Sequence, residues 1–248
     1  TLETLPDTLT IIGETPEATG LAQNLARLQK KITLSIPNSR IFPTEDREIS
    51  HWMQNQLEAD GINLLTNAPL LEIQQAEEQK WLRLGENSIT TEEIILFPDT
   101  SPNVAGLNLE GVRVTYDEKR ILLNKKLQTT NKTIYACGAI AGGYSAFNLA
   151  QYEAEIALKN ALFFPLFPVN YSFIPSVINT IPPLGRVGLS QVQAQRRYGD
   201  QIVVFKEYFK SNLINISQGN LTGIFKIIVH KNGEILGGHC FGNYAPEL

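Results

Sequence analysis

The sequence predicts an α/β protein, a parallel sheet with an appended antiparallel layer followed by an α+β unit. Three observations predict it. Leu9 to Leu28 (LTIIGETPEATGLAQNLARL) opens with a short apolar run, turns at Gly13 and continues with Leu21, Leu25 and Leu28 at helical spacing. Glu93 to Phe97 (EIILF) is a nearly continuous apolar run, as expected for a strand buried on both faces. Near the other end, Lys231-Asn232-Gly233 separates two apolar runs, Phe225 to His230 and Glu234 to Cys240. An Asn-Gly pair in that setting predicts a tight hairpin whose two turn residues accept positive φ.

Composition narrows the classes of function. The 248 residues suffice for one large domain or two smaller ones, and 43% hydrophobic with 19% charged residues is ordinary for a globular protein, which excludes disorder. A net charge of −4 without a basic cluster excludes nucleic acid as a partner. The longest apolar runs, Ile94 to Phe97 and Ala161 to Val169, are far short of a membrane span, so no membrane association is expected. Thr1 to Asp7 is polar and leads directly into a strand, which argues against a signal peptide. Cys137 and Cys240 form no C-x-x-C pair, and a reducing, cytoplasmic setting fits them best.

Taken in order, Lys31 to Ser35 predicts a second strand. Pro43-Thr44-Glu45-Asp46 predicts a helix start with Thr44 as N-cap and two carboxylates in the first turn. That helix runs through Ile49, Trp52, Met53 and Leu57 to Gly61 and reads as an amphipathic core helix. Asn63 to Leu65 follows as a third strand, then Pro69 to Gln75 and Lys80 to Leu84 as an antiparallel pair. Val112 to Leu127 alternates around a charged turn, Thr133 to Cys137 reads as a buried strand, and a helix follows from about Ser145 to Leu162. The proline-broken segment Phe163 to Pro175 reads as a linker and places a domain boundary. Beyond it, Val192 to Tyr198 is expected to be helical and Gln201 to Phe205 a strand.

The opening strand, turn and helix have the shape of a dinucleotide-binding βα unit, whose glycines let the backbone approach a pyrophosphate at a helix N-terminus. Laid on G-x-G-x-x-G, the stretch gives Gly13, then Thr15 and Ala18. Thr15 puts a branched side chain where the backbone meets the pyrophosphate, and Pro16 removes an N–H donor. Glu14 and Glu17 add negative charge. A carboxylate roughly 6 Å from a phosphate, at an effective dielectric near 20, costs about 3 kcal/mol. Pro16 and Glu17 are equally good first-turn residues that stabilise the helix itself. His239 beside Cys240 does not predict a metal site, since adjacent strand residues point to opposite faces.

Three stretches together resemble the pyridine nucleotide-disulfide oxidoreductases, the flavoprotein family of dihydrolipoyl dehydrogenase, glutathione reductase and mercuric reductase. The first, IIGETPEATGLAQNLARLQKKITLSIPNSRIFPTEDREIS, is similar to the family's nucleotide-binding unit and its R-I-L-P-x-E-D-x-E-I stretch. The second joins ILFPDTSPNVAGLNLEGV to LQTTNKTIYACGAIAGG, and the third joins IPSVINTIPPLGRVGLSQVQAQRRYG to GEILGGHCFGNYAPEL. The resemblance implies a Rossmann-like NAD(P)-binding domain over residues 1–115, the return segment of an FAD-binding domain over 116–165, and a C-terminally truncated α+β dimerisation domain over 166–248.

FAD and NAD(P) are the cofactors that the resemblance implies. The matching positions are Gly13, Thr15, Ala18, Asn38 and Arg40 on the NAD(P) side and Gly138 and Ala139 on the flavin side. Several depart from the pattern. The ribose-reading carboxylate is missing, because Ile36 is followed by Pro37 and Asn38. Arg40 is left either to meet a 2′-phosphate or to hold its own loop. A-T-G-R reads Phe97-Pro98-Asp99-Thr100, and the aspartate that meets the flavin's ribityl chain is Ala139.

The FAD-domain half carrying the redox cysteine pair, and the stretch supplying the catalytic His and Glu, have no counterpart here. The expectation is a fragment that passes no electrons alone, belonging to a protein that transfers them from NAD(P)H through FAD to a disulfide or related acceptor. It would pair as a homodimer through residues 166–248 and with the missing FAD-domain half. The competing expectation is a family-derived chain without cofactor binding, serving as a dimeric scaffold or holding another ligand.

Overall fold

The structure is a computed structural model that describes residues 5–98, 101–142 and 147–248. Thr1 to Thr4, Asp99, Thr100 and Gly143 to Ala146 therefore lie outside the described residues, and with them parts of the polar start, the Phe97–Thr100 match and the expected start of the helix at Ser145. The chain folds as two compact units, one formed by Thr1–Pro98 with Pro175–Leu248, the other by Asp99–Ile174.

The first part of the first unit runs β1 (Thr8–Ile12), α1 (Pro16–Arg27), β2 (Lys31–Ser35), α2 (Arg47–Ala59), β3 (Asn63–Leu65), β4 (Leu70–Ala76), β5 (Gln79–Leu84), β6 (Asn87–Thr91) and β7 (Glu93–Leu96). β1, β2, β3 and β7 form a parallel sheet in the order β3-β2-β1-β7. The antiparallel layer is β4-β5-β6, one strand more than the sequence pattern predicts. Leu9 and Ile11 on β1, Ile32 and Leu34 on β2, Ala18, Ala22 and Leu25 on α1, and Ile49, Met53 and Leu57 on α2 are all buried in one cluster.

The start of α2 differs from expectation. Thr44 does not cap it; the N-cap is Asp46, extended at φ −60 and ψ 139, and its side chain makes no capping bond. The reason is tertiary. The Asp46 carboxylate accepts from Lys226 Nζ at 2.7 Å, which removes it from local use.

The second unit contains α3 (Phe147–Leu162) and otherwise turns. Leu109, Val114 and Ile121 form a small core with Val104, Ile134 and Ile140 around it. Thr133 to Cys137 is not a strand. It contributes a single bridge, Tyr135 to Gln128, and Val112 to Leu127 likewise only Tyr116 to Ile121. An apolar run becomes a strand only when a neighbouring strand takes up its backbone groups along its length, and here the partners are scattered: Thr129 N donates to Ile134 O and Ala136 N to Leu127 O, with no continuous ladder among the described residues. Phe163 to Ile174 is bound to this unit rather than free, since Asn160 Nδ2 donates to Phe167 O at 2.7 Å and Val169 N to Lys125 O at 2.7 Å.

After it come β8 (Ser176–Ile178), β9 (Leu184–Gly188), α4 (Gln191–Tyr198), β10 (Ile202–Tyr208), α5 (Leu213–Ser217), β11 (Ile224–His230) and β12 (Ile235–Phe241). They make an antiparallel sheet in the order β10-β11-β12-β9-β8. Ser190 and Gln193 form a capping box at α4, satisfying two donors reciprocally. In the β11–β12 hairpin only Gly233 of the Asn-Gly pair takes positive φ, +95. Gly233 N donates to His230 O and His230 N to Glu234 O, each at 2.8 Å, so the connection is a three-residue loop, not the two-residue turn expected. Among the described residues no helix is long and apolar enough to cross a membrane.

The two parts of the first unit share one core: Ile178, Leu184, Ile224 and Phe241 join the cluster that holds β1 and β2. Gln23 on α1 bonds both backbone groups of Ile181, at 2.6 and 2.7 Å. The Lys226–Asp46 pair is nearly solvent-free, with side chains 2% and 4% exposed. Removing one member of such a pair strands the other, so Lys226→Met is expected to cost about 3–5 kcal/mol in chemical denaturation. Burial pushes the Asp46 carboxyl up, but the bond and charge of Lys226 and the Gln191 N–H outweigh it and hold it below its ordinary 3.8. A depressed folded-state value contributes stability above the unfolded value and loses it as pH falls through the folded one. The stability gap between wild type and Asp46→Asn is therefore expected to be full at neutral pH and to close as pH drops below 3.8.

Candidate functional site

The C-terminal edge of the parallel sheet, where β1 leads into α1 and β2 into the following loop, gathers Gly13, Thr15, Ala18 and Asn38. Gly13 has φ +143, and a Cβ there would stand 2.7 Å from both Cβ and O of Phe97. Packing against the residue after β7 thus demands this glycine whether or not a nucleotide binds. Thr15 is the N-cap of α1, and its Oγ1 accepts from Ala18 N at 3.2 Å. A helix start offers its first N–H groups to whatever acceptor lies nearest. Here Ala18 gives its N–H to Thr15 and Pro16 has none, which leaves Glu17 alone among the first three helical residues.

Glu14 and Asn38 close the edge further. Asn38 Nδ2 donates to Glu14 Oε2 at 2.5 Å, tying the turn after β1 to the segment after β2. Arg40 points its guanidinium inward: Nη1 donates to Glu45 O and Ser50 Oγ, both at 2.9 Å, and Nη2 to Pro43 O at 2.5 Å. It fastens the loop that leads into α2. A pyrophosphate needs free N–H donors and no competing anion. The cap, the proline and the Glu14 carboxylate work against both, so as arranged these residues disfavour a dinucleotide's phosphates.

Gly138 and Ala139 lie in the second unit, in a 3-10 turn spanning Gly138–Ala141. Gly138 has φ +76 and its N–H donates to Glu153 Oε2 at 2.7 Å. Ala139 is exposed and offers no acceptor beyond its backbone. The buried Glu153 also accepts from Tyr171 OH at 2.8 Å. Burial first, then that bond, pushes the Tyr171 hydroxyl up. Burial and then the Glu153 charge push the Cys137 thiol up, and burial pushes Cys240 up to about 11. Both cysteines are therefore held as thiols at neutral pH, unsuited to nucleophilic attack. Sequence reading singled out neither Glu153 nor Tyr171, which lie 18 residues apart and meet only through the fold.

A family model described as pyridine nucleotide-disulphide oxidoreductase matches residues 1–154, and the model of that family's dimerisation domain matches residues 174–248. The chain belongs to the pyridine nucleotide-disulphide oxidoreductases. Among relatives of this family, a mercuric reductase of Staphylococcus aureus is 29% identical over 100% of this chain and 46% of its own length. A dihydrolipoyl dehydrogenase of Bacillus subtilis is 28% identical over 100% of this chain and 54% of its own. The chain thus spans about half the length of the curated relatives it matches. Solved structures share the fold as well. The HOCl-induced flavoprotein disulfide reductase RclA of Escherichia coli has a TM-score of 0.86 and 23% identity over 99% of this chain and 57% of its own. LpdA of Mycobacterium tuberculosis has a TM-score of 0.90 and 19% identity over 98% of this chain and 54% of its own. The parallel unit is accordingly the Rossmann-like fold of the family.

If Glu14 is the electrostatic obstacle at the turn, Glu14→Ala is expected to raise the affinity of this chain for NADH by about tenfold to a hundredfold. Isothermal titration of wild type and variant side by side measures it, and equal affinities would remove Glu14 from the account.

Proposed function

We propose that this chain is the nucleotide-domain and dimerisation portion of a longer protein built on the FAD-dependent reductase plan, and that it is not catalytically competent alone. The observation that carries this is the incompleteness of the second unit. Thr133 to Cys137 has a strand's composition but one bridge, and α3 buries only Glu153, Ala157 and Asn160 while Phe147, Leu158 and Leu162 stay exposed. Such a surface suits a missing FAD-domain half, which would also supply the cysteine pair. The whole protein would then pass electrons from NAD(P)H through FAD to a disulfide or related acceptor. Residues 166–248 would pair two copies, and apolar side chains left exposed there, such as Phe205 and Leu213, support that role. A cytoplasmic setting agrees with two free thiols.

A second reading is favoured by the self-capped turn at Thr15 and the Glu14–Asn38 bond. A family-derived protein that has given up its dinucleotide would keep this fold as a dimeric scaffold or hold another ligand. Flavin absorbance of the full-length protein, with NADH and NADPH titrations, separates the readings. A yellow protein with micromolar affinity ends the scaffold reading; a colourless one that binds neither ends the reductase reading. Light scattering is expected to show a dimer, and a monomer at high concentration of the full-length protein would contradict the pairing.

A further inference from the structure

Among the described residues, two wholly buried side-chain atoms of the first unit lack a hydrogen-bond partner: Glu45 Oε2 and His239 Nδ1. They face each other 3.7 Å apart. The other end of each group is committed, Glu45 Oε1 to Arg186 Nη1 and His239 Nε2 to Leu189 O at 3.1 Å. A carbonyl oxygen only accepts, so Nε2 carries a proton. In a neutral imidazole Nδ1 is then an acceptor aimed at a carboxylate, two acceptors in a dry place. A second proton on Nδ1 converts that repulsion into a charge-assisted hydrogen bond.

The surroundings make the pair responsive. In the sheet, His239 pairs with Lys226 on one side and Arg186 on the other, so three basic side chains stand abreast across β11, β12 and β9. They face Glu45 and Asp46 from the loop that enters α2. Glu48 lies beside them, bonded to Lys206 Nζ at 2.6 Å and Tyr208 OH at 2.9 Å and 4.0 Å from Lys226. Arg186, Lys206 and Lys226 already balance Glu45, Asp46 and Glu48. The uncommitted polar atom among these groups is the imidazole Nδ1 facing Glu45 Oε2.

We propose that Glu45 and His239 form a proton-operated lock between the loop before α2 and strand β12, engaged when His239 is doubly protonated and slack when it is neutral. The lock joins the two sequence-distant parts of the first unit, so mild acidification tightens their union.

Urea denaturation of this chain at about pH 8 and about pH 6, for wild type, His239→Gln and Glu45→Gln, tests it. Wild type is expected to gain about fivefold to tenfold in its folding constant on going to the lower pH relative to His239→Gln. Glu45→Gln, whose amide can donate to Nδ1, is expected to lose that pH-dependent gain whatever its overall stability. His51 and His230 are shared by all three proteins and cancel in the comparison. Equal pH dependence in wild type and either variant overturns the proposal. Should a variant not fold, nitrogen-15 spectra of the wild-type imidazole decide: His239 is expected to hold both ring protons at the lower pH, and a neutral ring there overturns the lock.

Discussion

The Lys226 ammonium lies 2.7 Å from Asp46 with both side chains almost out of reach of water. Neither charge tolerates burial alone, so each fixes the position of the other. The same Asp46 carboxylate accepts from the N–H groups of Gln191 and Val192 at the start of α4, at 3.2 and 3.4 Å. One side chain therefore sets the start of α2, the N-terminus of α4 and the middle of β11. Apolar packing brings the two parts of the first unit together, and the ion pair adds a polar point of attachment between the start of α2 and β11. Buried charge of this kind adds little to net stability, because desolvation offsets most of the attraction.

The turn at β1 and α1 shows a competition built into any helix start. The N–H groups that would bind an anion are those a capping side chain satisfies. Thr15 and Pro16 stabilise α1 by spending them, and Glu14 with Asn38 draws the flanking segments together over the same place. Fold stability and dinucleotide binding draw on one small set of donors. Here the helix has taken them. Gly13 survives for a different reason, the close approach of Phe97, so a retained glycine is poor evidence of a retained ligand.

Much of the fold was legible because it rests on local pattern. Alternation and apolar runs located β1, β2, β7 and the strands of the C-terminal hairpin, and helical spacing located α1, α2 and α4. What local pattern missed depends on distant partners. Thr44 looked like a cap because nothing nearby revealed that Asp46 belongs to Lys226. Thr133 to Cys137 looked like a strand because its composition is right and its missing neighbour is invisible in sequence. Asn232 was expected at positive φ, but the three-residue loop places only Gly233 there. A lysine inside an otherwise apolar strand, IFKIIVH, was a readable sign of a buried partner, and the Glu-Asp pair of TEDREIS was the acid it sought.

The split of the first unit across the chain has a consequence in time. Asp46 and Lys226 are 180 residues apart. At a synthesis rate of about 5–20 residues per second, roughly 10–35 s separate the emergence of the carboxylate from that of the ammonium. The parallel sheet is complete in sequence only once β7 has been made, and from then until Lys226 appears its acidic loop awaits its counter-charges while the second unit is being synthesised. Closing so long a loop is slow on topological grounds alone. Until Lys226 arrives, the part of the core that Ile224 and Phe241 cover is open to a chaperone or a premature partner.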